Sequence, residues 1–222
     1  MSIKIIACQV MKEELLSITP AFDVEYEFIS MKLHLYPEKL KKELQSTIDR
    51  STGYSRIILA FGLCGGAAKE LIASDCVLTI PKVHDCISIL LDSDKLKEGV
   101  FQKKIGTFYL SCGWMNSEKS ILSEHKRVKD KYGEKKALKV LARMYESYKE
   151  ILFIKTGCST EKADVEQSGK IAKLLNLSHE TTKGNNNFIE KIVNGPWDDN
   201  KFINISPWGI VKEEDFNIKI KY

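Results

Sequence analysis

Short, continuous apolar runs alternate along this chain with longer amphipathic stretches, and few architectures satisfy that alternation. Runs at residues 3–8 (IKIIAC), 23–29 (DVEYEFI), 56–61 (RIILAF), 76–80 (CVLTI), 107–111 (TFYLS) and 151–155 (ILFIK) read as strands, joined by 178–182 and 202–205. A strand that is apolar on both sides needs cover on both faces. Helices placed between successive strands supply it through right-handed crossovers. The expected class is therefore α/β, a mostly parallel sheet with helices on both faces.

The helices are read from their own signals. Pro37 opens "PEKLKKELQSTIDRS", with Leu40, Leu44 and Ile48 at four-residue spacing and Glu38 in the first turn, as a helix start requires. Further helices are expected after Gly66, through "DCISILLDS", over most of 117–149, and over 160–175 with Ser159 or Thr160 as N-cap. "KGNNNF" at 183–188 reads as a polar loop or helix cap. The long helical stretch separates five strands from three. It divides the chain into a half at 1–147, carrying the cysteine cluster, and a half at 148–222, the two intimately packed.

A chain of 222 residues with 43% hydrophobic and 29% charged residues can bury a full core. It holds no apolar run of the ~18 residues that a membrane span needs. "MSIKIIACQV" enters a strand at once, without the features of a secretory signal, so a cytoplasmic protein is expected. The net charge of +4 is spread over helical segments with no dense basic run, which argues against nucleic acid as a partner. Oligomeric state is not legible.

In an open parallel sheet, ligands bind beyond the carboxyl ends of the strands. Cys8 ends the first strand, Cys64 lies beyond the third, Cys86 follows the fourth, Cys112 the fifth and Cys158 the sixth. Five of six cysteines thus map to one edge, and Cys76 reads as core filler. No CxxC pair is present, and the thiols are expected to be reduced. Cys64, Cys86 and Cys112 come from consecutive strand ends, which suits soft-metal binding by thiolates, with His84 beside them. Each cysteine alone suits equally the role of a small buried apolar residue.

Two other readings of the glycine turn stay open. Gly62, Cys64 and Gly66 have the G-x-C-x-G form of a nucleophile elbow, with Cys64 as nucleophile and His84 as base. The glycines Gly62, Gly65 and Gly66 also let backbone approach a cofactor, though the phosphate-binding spacings are missing. Trp114 could stack on a planar cofactor or simply pack. Asp198 and Asp199 are a weak acid–base pair, and His34 and Tyr36 are candidate pocket lining.

The stretches "LHLYPEKL" (33–40), "IILAFGLCGGAAKEL", "IPKVHDCISILLDS" (80–93), "GTFYLSCGWM" (106–115), "FIKTG" (153–157) and "NGPWDDNKFI" (194–203) together resemble the DUF1638 family of unknown function. The resemblance implies no assigned reaction. It implies occurrence beside corrinoid proteins and their methyltransferases in anaerobic one-carbon metabolism, with Cys64 and Cys86 as recurrent family positions and Cys112 and His84 as less regular ones. The resulting expectation is a metal- or metallocofactor-binding protein, zinc by default, with an iron–sulfur cluster or a corrinoid as alternatives. A corrinoid protein or methyltransferase is the expected partner. The competing readings are a thiol-dependent hydrolase or transferase, and a non-catalytic partner of a corrinoid methyltransferase.

Overall fold

The computed structural model describes residues 2–91, 106–117 and 120–216. The chain forms two compact units, one of Met1–Ser93 with Asn185–Tyr222 and the other of Asp94–Gly184. Tyr148, the boundary expected from the sequence, lies inside the second.

The first unit is built on β1 (Ser2–Cys8), β2 (Asp23–Ile29), β3 (Arg56–Ala60), β4 (Val77–Pro81) and β8 (Phe202–Ile205), in the order β2-β1-β3-β4-β8. The first four are parallel and β8 is antiparallel to β4. Ile3, Ile5, Ile6, Ile57, Ile58 and Leu59 are fully buried, as central strands covered on both faces demand. The alternating strand β2 sits at the edge, where Glu25 and Glu27 reach across to the buried Lys4. Helix α1 (Lys12–Leu16) follows β1, and α2 (Pro37–Arg50) carries the chain from β2 to β3 with Leu40, Leu44 and Ile48 turned inward.

This order creates a switch point. From β1 the chain turns toward β2 on one side, and from β3 it turns toward β4 on the other. The loops leaving β1 and β3 diverge and leave a crevice at their carboxyl ends, where open α/β sheets bind ligands.

The edge strand β8 is held by a polar network. Arg56 donates to Thr79 and to Asn204 Oδ1, and Thr79 Oγ1 donates to the same oxygen at 2.8 Å. Before it, α8 (Asn186–Asn194) is capped by Asn185, whose Oδ1 accepts from the Asn187 N–H at 2.9 Å. The polar segment at 183–188 is thus a helix cap. Asn185→Ala should cost about 1 kcal/mol. A thermal unfolding curve should show it as a fall of roughly 2–4 °C in the midpoint for a chain of this size.

The second unit is a three-stranded parallel sheet of β5 (Thr107–Leu110), β6 (Glu150–Lys155) and β7 (Ser178–Lys183). Its short helix α4 (Cys112–Met115) follows β5, and α5 (Ile121–Tyr132) and α6 (Glu134–Met144) come next. Gly133, with φ at +81°, breaks the single helical stretch expected over 117–149. Helix α7 (Glu161–Leu175) lies between β6 and β7, with Thr160 at its N-cap. Leu110, Leu141, Ile151, Phe153 and Ile171 form the core.

All eight expected strands are present, but they build two sheets. The fifth strand belongs to the second unit and the eighth returns to the first. Helix α3 (Cys86–Leu91) agrees with "DCISILLDS", whose last two residues, 92 and 93, lie outside the described ones, as do 118 and 119 of the 117–149 stretch. The helix expected after Gly66 does not form. Residues 64–66 make one tight 3-10 turn, the chain continues in turns to Glu70, and Ile72 forms an isolated bridge with Ile210. The cause is local: Cys64, Gly65 and Gly66 have φ of +48°, +68° and +92°, so three successive residues leave the right-handed helical region.

Candidate functional site

The crevice at the switch point holds three thiols. Cys8 is the last residue of β1, Cys64 lies in the turn after β3, and Cys86 opens α3. With Ser30, Met31, His34, Leu40 and Phe61 they line a cavity of about 10 Å³, room for one water-sized guest. His34 and Met31 come from the 3-10 turn Met31–Leu35 that follows β2.

Two backbone hydrogen bonds fix the Cys64 and Cys86 segments to each other. The N–H of Leu63 donates to the Val83 carbonyl at 3.0 Å, and that of Cys64 to the His84 carbonyl at 2.8 Å. The loops approach so closely that Gly62 is obligatory. A Cβ there would stand 2.5 Å from the Asp85 nitrogen and 2.6 Å from the Val83 oxygen. Gly65 touches Pro37 at the start of α2, where an added Cβ would meet the ring carbon Cγ at 3.3 Å. Cys64 itself adopts the left-handed conformation without being glycine, a strain of about 1–2 kcal/mol. Such strain is retained where the surroundings hold a side chain in a required direction.

The thiols of Cys8 and Cys86 are buried and that of Cys64 is half-buried. Burial pushes the Cys64 thiol up to about 12, with the carboxylate of Asp85 and the sulfur of Cys8 adding to it. The thiols of Cys8 and Cys86 act on each other's titration. The interaction favours the thiolate on Cys8, whose pKa is lowered, and the thiol on Cys86, which is held well above the usual range. His34 is pulled below the usual imidazole value by desolvation, with Asp85 opposing. Asp85 is itself committed to α3, its Oδ1 accepting from the N–H and hydroxyl of Ser88 at 3.0 and 2.9 Å. A neutral imidazole and a set of soft sulfur donors suit a zinc-class cation, whose binding displaces thiol protons.

The other expected site residues fall elsewhere. His84 contributes its carbonyl to Cys64; among the described residues, the histidine lining the cavity is His34. The elbow geometry is not formed, because no helix follows Gly66; the backbone of Cys86 at the start of α3 does favour the Cys64 thiolate, but burial outweighs it. Cys112 lies in the second unit and is bonded to Cys158 with Cα atoms 6.6 Å apart, which corrects the expectation of six free thiols. The physical reason is that β5 and β6 are neighbours in one parallel sheet, so the residues beyond their ends meet. Trp114 packs against the core of that unit. Asp198 and Asp199 shape a turn, accepting from the Asn200 N–H and from the Asn204 side chain. Cys76 is buried beside Ser74 at the start of β4, as expected. Sequence reasoning left Cys8 and His34 out of the ligand set. Their signal was present, since β1 lies beside β3 and β2 beside β1 once the strand order is known.

No helix among the described residues is long and apolar enough to cross a membrane. A doubly wound parallel sheet with three thiols at its switch point defines an α/β protein with a sulfur-lined crevice. The chain belongs to the family described as Protein of unknown function (DUF1638), whose model matches residues 28–193. That span includes Cys64 and Cys86 and begins after Cys8. No curated protein and no solved structure matches the chain.

Proposed function

We propose that this is a cytoplasmic metal-binding protein that holds a zinc-class cation through Cys8, Cys64 and Cys86, with His34 at the mouth of the site, and that it serves corrinoid-dependent methyl transfer. The observation that carries the reading is that three cysteines from three chain segments line one cavity at the switch point; their sulfurs do not all lie within 4.8 Å of one another, so a bound cation would have to draw them together. The cavity, at about 10 Å³, fits an ion. Pockets for organic cofactors run to roughly 300–1,000 Å³, so a corrin ring belongs on a partner protein. A thiolate-bound zinc with an open position supplies Lewis acidity that can activate a substrate thiol. The chain's own part is to hold the sulfurs. The strain at Cys64 directs one of them, the backbone bonds from Leu63 and Cys64 to the segment before α3 hold the Cys64 and Cys86 loops together, and His34 offers a neutral nitrogen.

Metal analysis of protein purified without oxygen tests this. Wild-type chain should carry zinc, iron or cobalt, and Cys64→Ser and Cys86→Ser should each lose one equivalent. Unchanged metal content in both variants would remove the reading. The methyl-transfer role is supported by the family resemblance, and its check is co-purification with a corrinoid protein from a native source.

A further inference from the structure

We propose that the second unit carries a metal site of its own that opens on reduction. Cys112, Cys158 and Asp164 bind a zinc-class divalent cation when the Cys112–Cys158 disulfide is reduced, and cannot bind it while the disulfide is intact. The three residues offer ligand atoms that all lie within 4.8 Å of one another. They meet because β5 and β6 run side by side, with Leu110 opposite Phe153, and because α7 starts directly beyond β6.

Asp164 is the residue that a plain structural disulfide does not explain. Its side chain is buried, at 8% exposure, and among the described residues no lysine, arginine or histidine pairs with it. It is held by two neutral donors, the Thr160 hydroxyl at 2.6 Å and the Asn116 amide at 3.4 Å. The first turn of α7 lowers the cost of the charge but does not account for its place against two sulfurs. Burying a carboxylate away from a compensating charge is unfavourable, and a disulfide supplies no charge at all. A divalent cation bound by two thiolates is neutral overall, but it gives this carboxylate a direct metal bond in place of neutral donors alone, in a donor set that zinc accepts. Beside the site, Ser111 is fully buried with its hydroxyl unpartnered among the described residues.

The two sulfurs are placed for exchange. Cys158 is half-buried and follows Gly157 in a turn with φ at +81°, whereas Cys112 is fully buried. A dithiol reductant therefore attacks Cys158. Its thiolate forms a bond to that sulfur as the Cys112–Cys158 bond breaks, and Cys112 leaves with the electron pair and takes a proton. The second thiol of the reductant then displaces Cys158, leaving an oxidised reductant and two protein thiols. Cation binding releases the two thiol protons to solvent.

The test uses the full chain and cobalt(II) as the probe, read through its thiolate charge-transfer absorption after reduction. Wild-type and Cys64→Ser chains should both keep an equivalent that Cys158→Ser lacks. This separates the site from the one at Cys64, so either proposal can fail alone. Asp164→Asn, which keeps both thiols and the side-chain shape, should bind that equivalent at least tenfold more weakly. Cys64→Ser oxidised until peptide mass shows the 112–158 link should not bind it at all. Equal cobalt uptake by wild type and Cys158→Ser, with circular dichroism showing both folded, would overturn the proposal, as would undiminished uptake by the linked protein.

Discussion

Replacing Gly62 with alanine should unfold the chain about 6–12 °C earlier than wild type, the equivalent of about 3 kcal/mol for a protein of this length. The new methyl group would lie 2.5 Å from the Asp85 nitrogen, 2.6 Å from the His84 carbonyl carbon and 2.6 Å from the Val83 oxygen. All three are backbone atoms, so no side chain can swing aside. The loop after β3 must then part from the loop after β4, which breaks the hydrogen bonds from Leu63 and Cys64 and separates Cys64 from Cys86. Gly66→Ala is the natural comparison. Nothing lies within 4 Å of a Cβ there, so only the cost of placing alanine at a φ of +92° remains, about 1–2 kcal/mol. Equal shifts for the two variants, measured by calorimetry, would mean that the loop contact does not matter.

Cys64 should react slowly with a haloacetamide at neutral pH, about 30- to 60-fold more slowly than a free peptide thiol. The pKa of about 12, against an ordinary 9.0, cuts the thiolate population roughly a thousandfold. The greater nucleophilicity of a more basic thiolate, with a Brønsted slope of about 0.4–0.5, restores roughly 16- to 30-fold of that. The same shift sets a pH dependence of stability. The folded state holds this proton more tightly than the unfolded chain, so the contribution is complete below about pH 9 and is lost as pH rises toward 12. A cation competes with the proton for the sulfur, so metal affinity should rise with pH over the neutral range. Peptide-resolved labelling gives the rate. Labelling of Cys64 faster than a free thiol at pH 7 would restore it as an activated nucleophile.

The strands were legible because each is an apolar run that only a covered sheet accommodates, and the helix from Pro37 because its cap and its spacing agree. What the local pattern does not carry is which sheet a strand joins. Residues 107–111 and 202–205 look like any other short strand, yet β5 starts the second sheet and β8 closes the first. That exchange decided the site. It removed Cys112 from the set containing Cys64 and paired it with Cys158. Cys8 was hidden for a different reason: a cysteine ending "IKIIA" is chemically indistinguishable from core until the strand order puts β1 beside β3. The missing helix after Gly66 has a third cause. "AAKEL" has high helical propensity, and the left-handed run at Cys64–Gly66 with the tie from Glu70 N–H to the Val211 carbonyl overrides it.

The return of the chain to its first sheet also bears on biosynthesis. Residues 2–91 emerge from a ribosome long before Phe202–Ile205, so β4 waits with one edge unpaired while the whole second unit is being made. An exposed apolar edge is where chains pair wrongly with one another. The polar triad of Arg56, Thr79 and Asn204 then acts as a latch, accepting this strand at this register and leaving a stray β-edge from another chain without its partner for the guanidinium.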